Sequence, residues 1–158
     1  MPGPETLFRL SALNTDYASA IDGDRLEDWP GFFHPDCLYK ITTAENHRRN
    51  QPAGIIYADS RGMLADRVAA LRRANIYERQ IYRHVIGMPS ILSEDMGGIR
   101  AEAPFLVVRT MRTGEMSLFA AGRYLDHVRP DPTGALRFAE RIAICDSPRF
   151  DTLVAIPL

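Results

Sequence analysis

The chain has 158 residues, 46% of them hydrophobic and 25% charged, with a net charge of -1. That length suits one domain with a core of its own, and the composition is ordinary for a globular protein. The charge gives no field that gathers nucleic acid or an anionic membrane, and the arginines are dispersed rather than clustered.

The opening MPGPETLF has no basic stretch ahead of an apolar run, so no secretion signal is expected. No apolar stretch approaches the roughly 18 residues that a membrane span needs, and a cytoplasmic protein is expected. From Pro4 to about Asp22, Leu7, Leu10, Leu13, Tyr17 and Ile21 recur at helical spacing, with Pro4 at the start and Gly23 after the end. RLEDWPGFFHPD reads as a short helical turn anchored by Trp29, Phe32 and Phe33, limited by Pro30 and Pro35. CLYKITT, Cys37 to Thr43, alternates as a strand; Asn46 to Pro52 is polar and loop-like, and Ile55 to Ala58 is extended. A second helix is expected from about Ser60 to Arg73, with Asp59 or Ser60 as N-cap and Arg72 and Arg73 at its negative end. Met63, Leu64, Val68 and Leu71 form its apolar stripe.

After Gly97-Gly98 the chain turns β-rich. IRAEAPFLVVRTMRTGEMSLFAAGRYLDHV gives two long strands about a turn near Thr113-Gly114, PDPTG turns again into ALRFAERIAICD, and TLVAIPL follows. Helices first and long strands afterwards predict one α+β domain over residues 1–158, with helices on one face of a curved antiparallel sheet. On the first long strand Ile99, Ala101, Ala103, Phe105 and Val107 share a face. The opposite face still carries Leu106 and Val108, and Phe119 and Leu125 join it in some registers. A sheet wet on one side alternates more cleanly, so this second face is expected to be covered, most simply by another subunit. Leu153, Val154, Ile156 and Leu158 make an apolar ending. It is expected to complete the sheet or to lie beside a subunit contact near Leu106 and Val108.

Residues with chemistry are few. His34, His47, His84 and His127 sit at no HxxxH or HExxH spacing, and no CxH…CxxH set exists for a Rieske cluster. Cys37 and Cys145 stand far apart and read as small buried apolar residues. GxGxxG, the P-loop and GxSxG are absent, so no metal or cofactor is expected in this chain. What remains is a cofactor-free acid–base pocket inside a cone-shaped sheet, for which Asp59, Asp66, Tyr82, His84 and Tyr124 are suitable types. The structural account of the same residues has Asp59 capping a helix, Asp66 pairing with an arginine, and the tyrosines packing. Arg61, Arg67, Arg79, Arg83, Arg109 and Arg123 suit carboxylate pairing across an interface. Arg109 continues an apolar strand face, and Glu140 does the same between Phe138 and Ile142, so both need partners if buried.

Four blocks bring a family into view: DWPGFFHPDCLYKITTAEN, GIIYADSRGMLADRVAALRRANIYERQIYRHVIGMPSI, GEMSLFAAGRYLD and CDSPRFDTLVAIPL. They resemble the β (small) subunits of aromatic-ring-hydroxylating dioxygenases, in order and spacing and over essentially the whole chain. Within them the chain is most similar in character to subunits serving oxygenases of aromatic carboxylates such as terephthalate. The resemblance implies the SnoaL-like cone, the α+β fold of nuclear transport factor 2 and scytalone dehydratase. It implies assembly with a larger α subunit, commonly as three α and three β chains. The α subunit would hold the Rieske [2Fe–2S] cluster and the mononuclear Fe(II). This chain would be a structural, non-catalytic part of a dioxygenase using O2 and electrons from NAD(P)H. On that reading Arg61, Arg67, Arg83, His84, Arg109, Arg123, Tyr124, Ile156 and Leu158 are candidates for subunit interfaces. The alternative is a stand-alone isomerase, dehydratase or cyclase of the same fold, working from an Asp, His and Tyr pocket.

Overall fold

Proline lacks the amide hydrogen that a first helical turn leaves unpaired, and Pro4 opens α1 (Pro4–Asp22). The computed structural model describes residues 3–51, 54–74, 80–149 and 156–158. One stripe of α1 buries Leu10, Leu13, Tyr17, Ala20 and Ile21. A 3-10 segment, Leu26–Phe32, then places Trp29 wholly inside. The remaining elements are β1 (Phe33–Thr43), α2 (Ala44–Arg48), β2 (Ile56–Ala58), α3 (Arg61–Ala74), β3 (Gln80–Ile86), β4 (Ser90–Asp95), β5 (Gly98–Met111), β6 (Met116–Pro130) and β7 (Leu136–Cys145).

Ser60 caps α3: its Oγ accepts from the Met63 amide at 3.1 Å, which decides between it and Asp59. Leu64 and Val68 are the buried stripe of this helix and Leu71 joins them in part, whereas Met63 is exposed. The C-terminal end is tied down by Arg72, which donates to both carboxylate oxygens of Glu27 and to Asp24.

The strands lie in the order β2-β1-β7-β6-β5-β3, with β4 on the same edge of β5 as β3. Among the described pairs β1 and β7 run parallel and the others antiparallel, so the sheet is mixed rather than wholly antiparallel. Three further boundaries differ from expectation. β1 begins at Phe33, well ahead of Cys37. Residues Ala44–Arg48 form a helical turn where a loop was expected to begin at Asn46, because Thr43 Oγ1 caps it by accepting from the Asn46 amide at 3.2 Å. The β region starts at Gln80, before Gly97, since β3 and β4 precede β5. The exposed set of β3 includes Ile81 and Val85, so its alternation is apolar against apolar and carries no period-2 signal.

Two bulges decide which residues face the helices. Between Val107 and Val108 the partner strand β6 has one extra residue, Phe119, which turns inward and meets the Tyr82 ring at 5.2 Å. Phe119 therefore does not join Leu106 on the outer face. The second bulge lies between His127 and Val128, opposite an extra Ala139 on β7. It places Phe138 and Arg141 on the same buried side. Glu140 consequently departs from the Phe138 face, contrary to the alternation expected from sequence.

Close approach requires glycine at one sheet position. A Cβ on Gly122 would lie 1.9 Å from the Ile144 carbonyl oxygen. Gly122→Ala should therefore lower stability by about 3 kcal/mol, near the upper end for overpacking, in urea denaturation. Gly31→Ala, with no atom within 4 Å of the new methyl, should stay within about 0.5 kcal/mol. Loss of the cap in Ser60→Ala should cost about 1 kcal/mol in the same assay, and Asp59→Ala much less.

Candidate functional site

Rings from every layer meet between the sheet and its helices. Tyr17 of α1 lies edge-on to Phe138 at 5.6 Å, Trp29 to Tyr39 at 5.1 Å, and Phe105 stacks on Tyr124 at 4.4 Å. Within this cage sits Arg141, fully buried. Its Nε and Nη2 donate to the two carboxylate oxygens of Asp126, each at 2.8 Å, and Nη2 also reaches Asn14 Oδ1 at 2.5 Å. Its guanidinium carbon lies 3.8, 4.0 and 4.5 Å from the centres of the Tyr124, Phe138 and Tyr17 rings. Burial opposes the charge on Arg141, but the Asp126 carboxylate outweighs it and holds the guanidinium protonated.

The phenols of the cage are arranged around Leu158. Tyr17 Oη donates to the Leu158 backbone oxygen at 2.7 Å and Tyr39 Oη to the same atom at 2.9 Å. The Leu158 amide donates back to Tyr39 Oη at 3.0 Å, and Trp29 Nε1 donates to Tyr17 Oη at 3.2 Å. Burial raises the pKa of both phenols, so they act as neutral hydroxyls. A second buried polar contact ties α1 to β3. Asp22 at the end of α1 accepts from the His84 amide at 2.7 Å and meets His84 Nδ1 at 2.6 Å.

The opposite face of the sheet is apolar and open in this chain. Register sets Val85 beside Leu106 and Ala121, Arg83 beside Val108 and Leu118, and Ile81 beside Thr110 and Met116. Ile81, Val85, Leu106 and Leu118 are 57%, 54%, 44% and 63% exposed. This is one contiguous apolar surface with Arg83 in its midst.

Residues 17–151 match the family described as ring hydroxylating beta subunit. The chain belongs to that family. It is 51% identical, over 96% of its length and 97% of the relative's, to the β 1 subunit of the terminal oxygenase component of terephthalate 1,2-dioxygenase from a Comamonas species. The small subunit of anthranilate 1,2-dioxygenase from Burkholderia cepacia is 40% identical, over 98% of this chain and 95% of that one. A crystal structure of a β subunit assigned to an aromatic-ring-hydroxylating dioxygenase of Novosphingobium aromaticivorans superposes with a TM-score of 0.89. That match is at 38% identity and covers 97% of both chains.

In this ring-hydroxylating β subunit the residues named for an acid–base pocket do not converge. Asp59 and Asp66 are exposed near β2 and on α3, while Tyr82 and His84 lie on β3 at the opposite edge of the sheet. Tyr82 Oη donates to Gln80 at 2.5 Å, and Tyr124 is wholly buried under Arg141. Among the described residues, no group of three or more His, Cys, Asp or Glu is placed to hold a metal ion. Cys37 and Cys145 are free and buried; burial raises both thiols, that of Cys145 to about 12.

The interface candidates divide by position. Tyr124 and Leu158 are fully buried, His84 is buried against Asp22, and Ile156 packs partly buried against the core. Of these four only Ile156 keeps part of its surface exposed. Leu158 lies on the helix-covered side, not near Leu106 and Val108, because the tyrosine hydroxyls hold its backbone there. Arg61 donates through Nε and Nη2 to the Phe33 carbonyl, and Arg109 stands over the Phe119 ring at 4.9 Å. Arg67 is half-buried on α3. Arg123 pairs with Glu102 at 2.9 Å on an exposed surface, and Arg83 is exposed. Arg79, Leu153 and Val154 lie outside the described residues.

The sequence reading missed Arg141, Asp126, Asn14 and Asp22. Asp22 carried one signal: an acid in the last turn of a helix opposes the helix dipole and calls for a partner. Arg141 carried none, because the bulge that turns it inward leaves no mark on the alternation.

Arg141→Met should cost about 3–5 kcal/mol in denaturant unfolding, since it strands the buried Asp126 carboxylate. Asp126→Leu combined with Arg141→Met should cost less than Arg141→Met alone. An additive result would show that the two groups do not depend on each other.

Proposed function

We propose that this chain is the structural β subunit of a terminal oxygenase that dihydroxylates an aromatic carboxylate. The observation that carries this reading is the 51% identity, over nearly the full length of both chains, with a β subunit of terephthalate 1,2-dioxygenase. Similarity to the small subunit of anthranilate 1,2-dioxygenase supports the same substrate class, since both named substrates are aromatic carboxylates. The filled interior supports a scaffold role, because the cage is occupied by rings, Arg141 and Leu158 where a cone-shaped enzyme would need space.

On this reading residues 1–158 form one domain and the partner is an α subunit carrying the Rieske cluster and the mononuclear iron. The donor set of the β chain supports that division, for its described residues offer neither centre a ligand cluster. The proposal includes an assembly of three α and three β chains in the cytoplasm. None of the described helices is long and apolar enough to cross a membrane.

We assign the subunit contacts to the outer face built from Val85, Leu106, Val108 and Leu118, with Arg83 and Arg123 as its polar members. A carboxylate introduced there would be desolvated on assembly without disturbing the cage behind it. The test is co-expression with the α subunit encoded beside this chain, followed by co-purification and sedimentation. Leu118→Asp and Val85→Asp should melt within a few degrees of the parent yet lose the α subunit and oxygenase activity. Variants that assemble and turn over like the parent would remove this face from the interface.

A further inference from the structure

A cleft of about 580 Å³ lies between α1 and the edge strand β3, a size that takes a small molecule. Ser11, Thr15, Ala18 and Ser19, all small, recur at helical spacing along one wall, and Ile86 stands on the other. His84 also lines the cleft, and its side chain has no solvent exposure. Asp22 takes both the His84 amide, at 2.7 Å, and Nδ1, at 2.6 Å, which fixes the ring and puts a proton on Nδ1. The second ring nitrogen, Nε2, is buried with no hydrogen-bond partner. A latch between α1 and β3 is complete with the amide and Nδ1, and it gives no account of Nε2. Charge indicates the partner. Arg25 and Arg83 line the cleft too, and Asp22 is the one acid among its described lining residues. Arg25 is drawn to α1 by a bond from Nη2 to Ser19 Oγ at 3.3 Å, while its contact with Asp28 is loose and exposed, at 3.6 Å.

We propose that the cleft between α1 and β3 is a binding site for a small carboxylate with an apolar body. The carboxyl shares a proton with His84 Nε2, as Asp22 does with Nδ1, so the imidazole bridges two carboxylates. The Arg25 guanidinium supplies the balancing charge, and the body lies along Ala18 and Ile86. Nε2 has no exposed surface, so binding includes a side-chain shift that uncovers it. This inference does not depend on the role assigned to the chain, since the open nitrogen and the charges around it belong to this chain alone.

Titration calorimetry and melting curves of the full-length chain with sodium benzoate test it. Benzoate should bind saturably and raise the melting temperature. Benzamide, which keeps the shape without the charge, and acetate, which lacks the ring, should each bind about tenfold more weakly. Arg25→Gln alters an exposed side chain; it should fold like the parent and weaken benzoate about tenfold. His84→Asn keeps a donor for Asp22 and removes Nε2. A histidine that only latches α1 to β3 would leave benzoate binding unchanged in that variant, whereas loss of binding is expected. Should His84→Asn not fold, Ala18→Phe carries the test, since it fills the cleft from a half-buried position on α1 and should abolish binding. A parent that ignores benzoate, or that takes benzamide or acetate equally well, would overturn the proposal. So would folded variants that bind benzoate like the parent.

Discussion

The pairing of Arg141 with Asp126 is the constraint around which the rest is arranged. Taking two opposite charges out of water costs several kcal/mol per ion, and attraction repays this only with good geometry and no unmet carboxylate oxygen. Here the fork is bidentate, Asn14 takes a third bond, and three aromatic faces surround the cation. Those partners come from α1, β6 and β7, so one guanidinium fixes a helix and two strands relative to each other. Apolar contacts alone permit small slides with little loss; a two-pronged ionic contact does not. Stability is a weak reason to keep such a pair, whereas a single fixed arrangement of the cage is a good one.

That rigidity bears on function. A cone that works as an enzyme needs space, water control and a titratable group free to act. Here most charged or hydrogen-bonding groups of the interior are committed: Asp126 to Arg141, Asp22 to His84, and the phenols of Tyr17 and Tyr39 to Leu158. The unsatisfied surface is instead on the outside, where Ile81, Val85, Leu106 and Leu118 face solvent. A β subunit whose inner face is complete and whose outer face is not has the form of a part made for assembly.

Much of the fold was legible because its periodicities are clean. α1 repeats its apolar residues at helical spacing, and Ile99 to Val107 alternate between buried and more exposed positions. What sequence could not show depends on single-residue events. One inserted residue on β6 turns Phe119 inward, and another on β7 carries Arg141 into the core and Glu140 out of it. β3 was hidden because both sides of the strand carry apolar residues, Ile81 and Val85 on one and Tyr82 and Ile86 on the other, which erases the alternation. The place of Leu158 follows from two tyrosines distant in sequence, and no local pattern encodes that. The family could be read from its blocks, which need no register to be recognised.

The parallel pairing of β1 with β7 has a consequence for the order in which the chain folds. β5, β6 and β7 are joined by short turns and can pair locally, but Phe33 must find Phe138 from the far end of the sequence. Closing so long a loop costs entropy before any contact repays it, and non-local pairing is correspondingly slow. Until α1 and β1 arrive, Arg141 and Asp126 stand on an open hairpin ladder where water still solvates both charges. Their desolvation is thereby deferred to the moment when Tyr17 and Asn14 close over them. Folding thus ends on its most demanding step, with the compensating bonds and rings arriving together. Pulse-labelled hydrogen exchange reads that order directly: the β6 amides should be protected before those of β1, and simultaneous protection would contradict it.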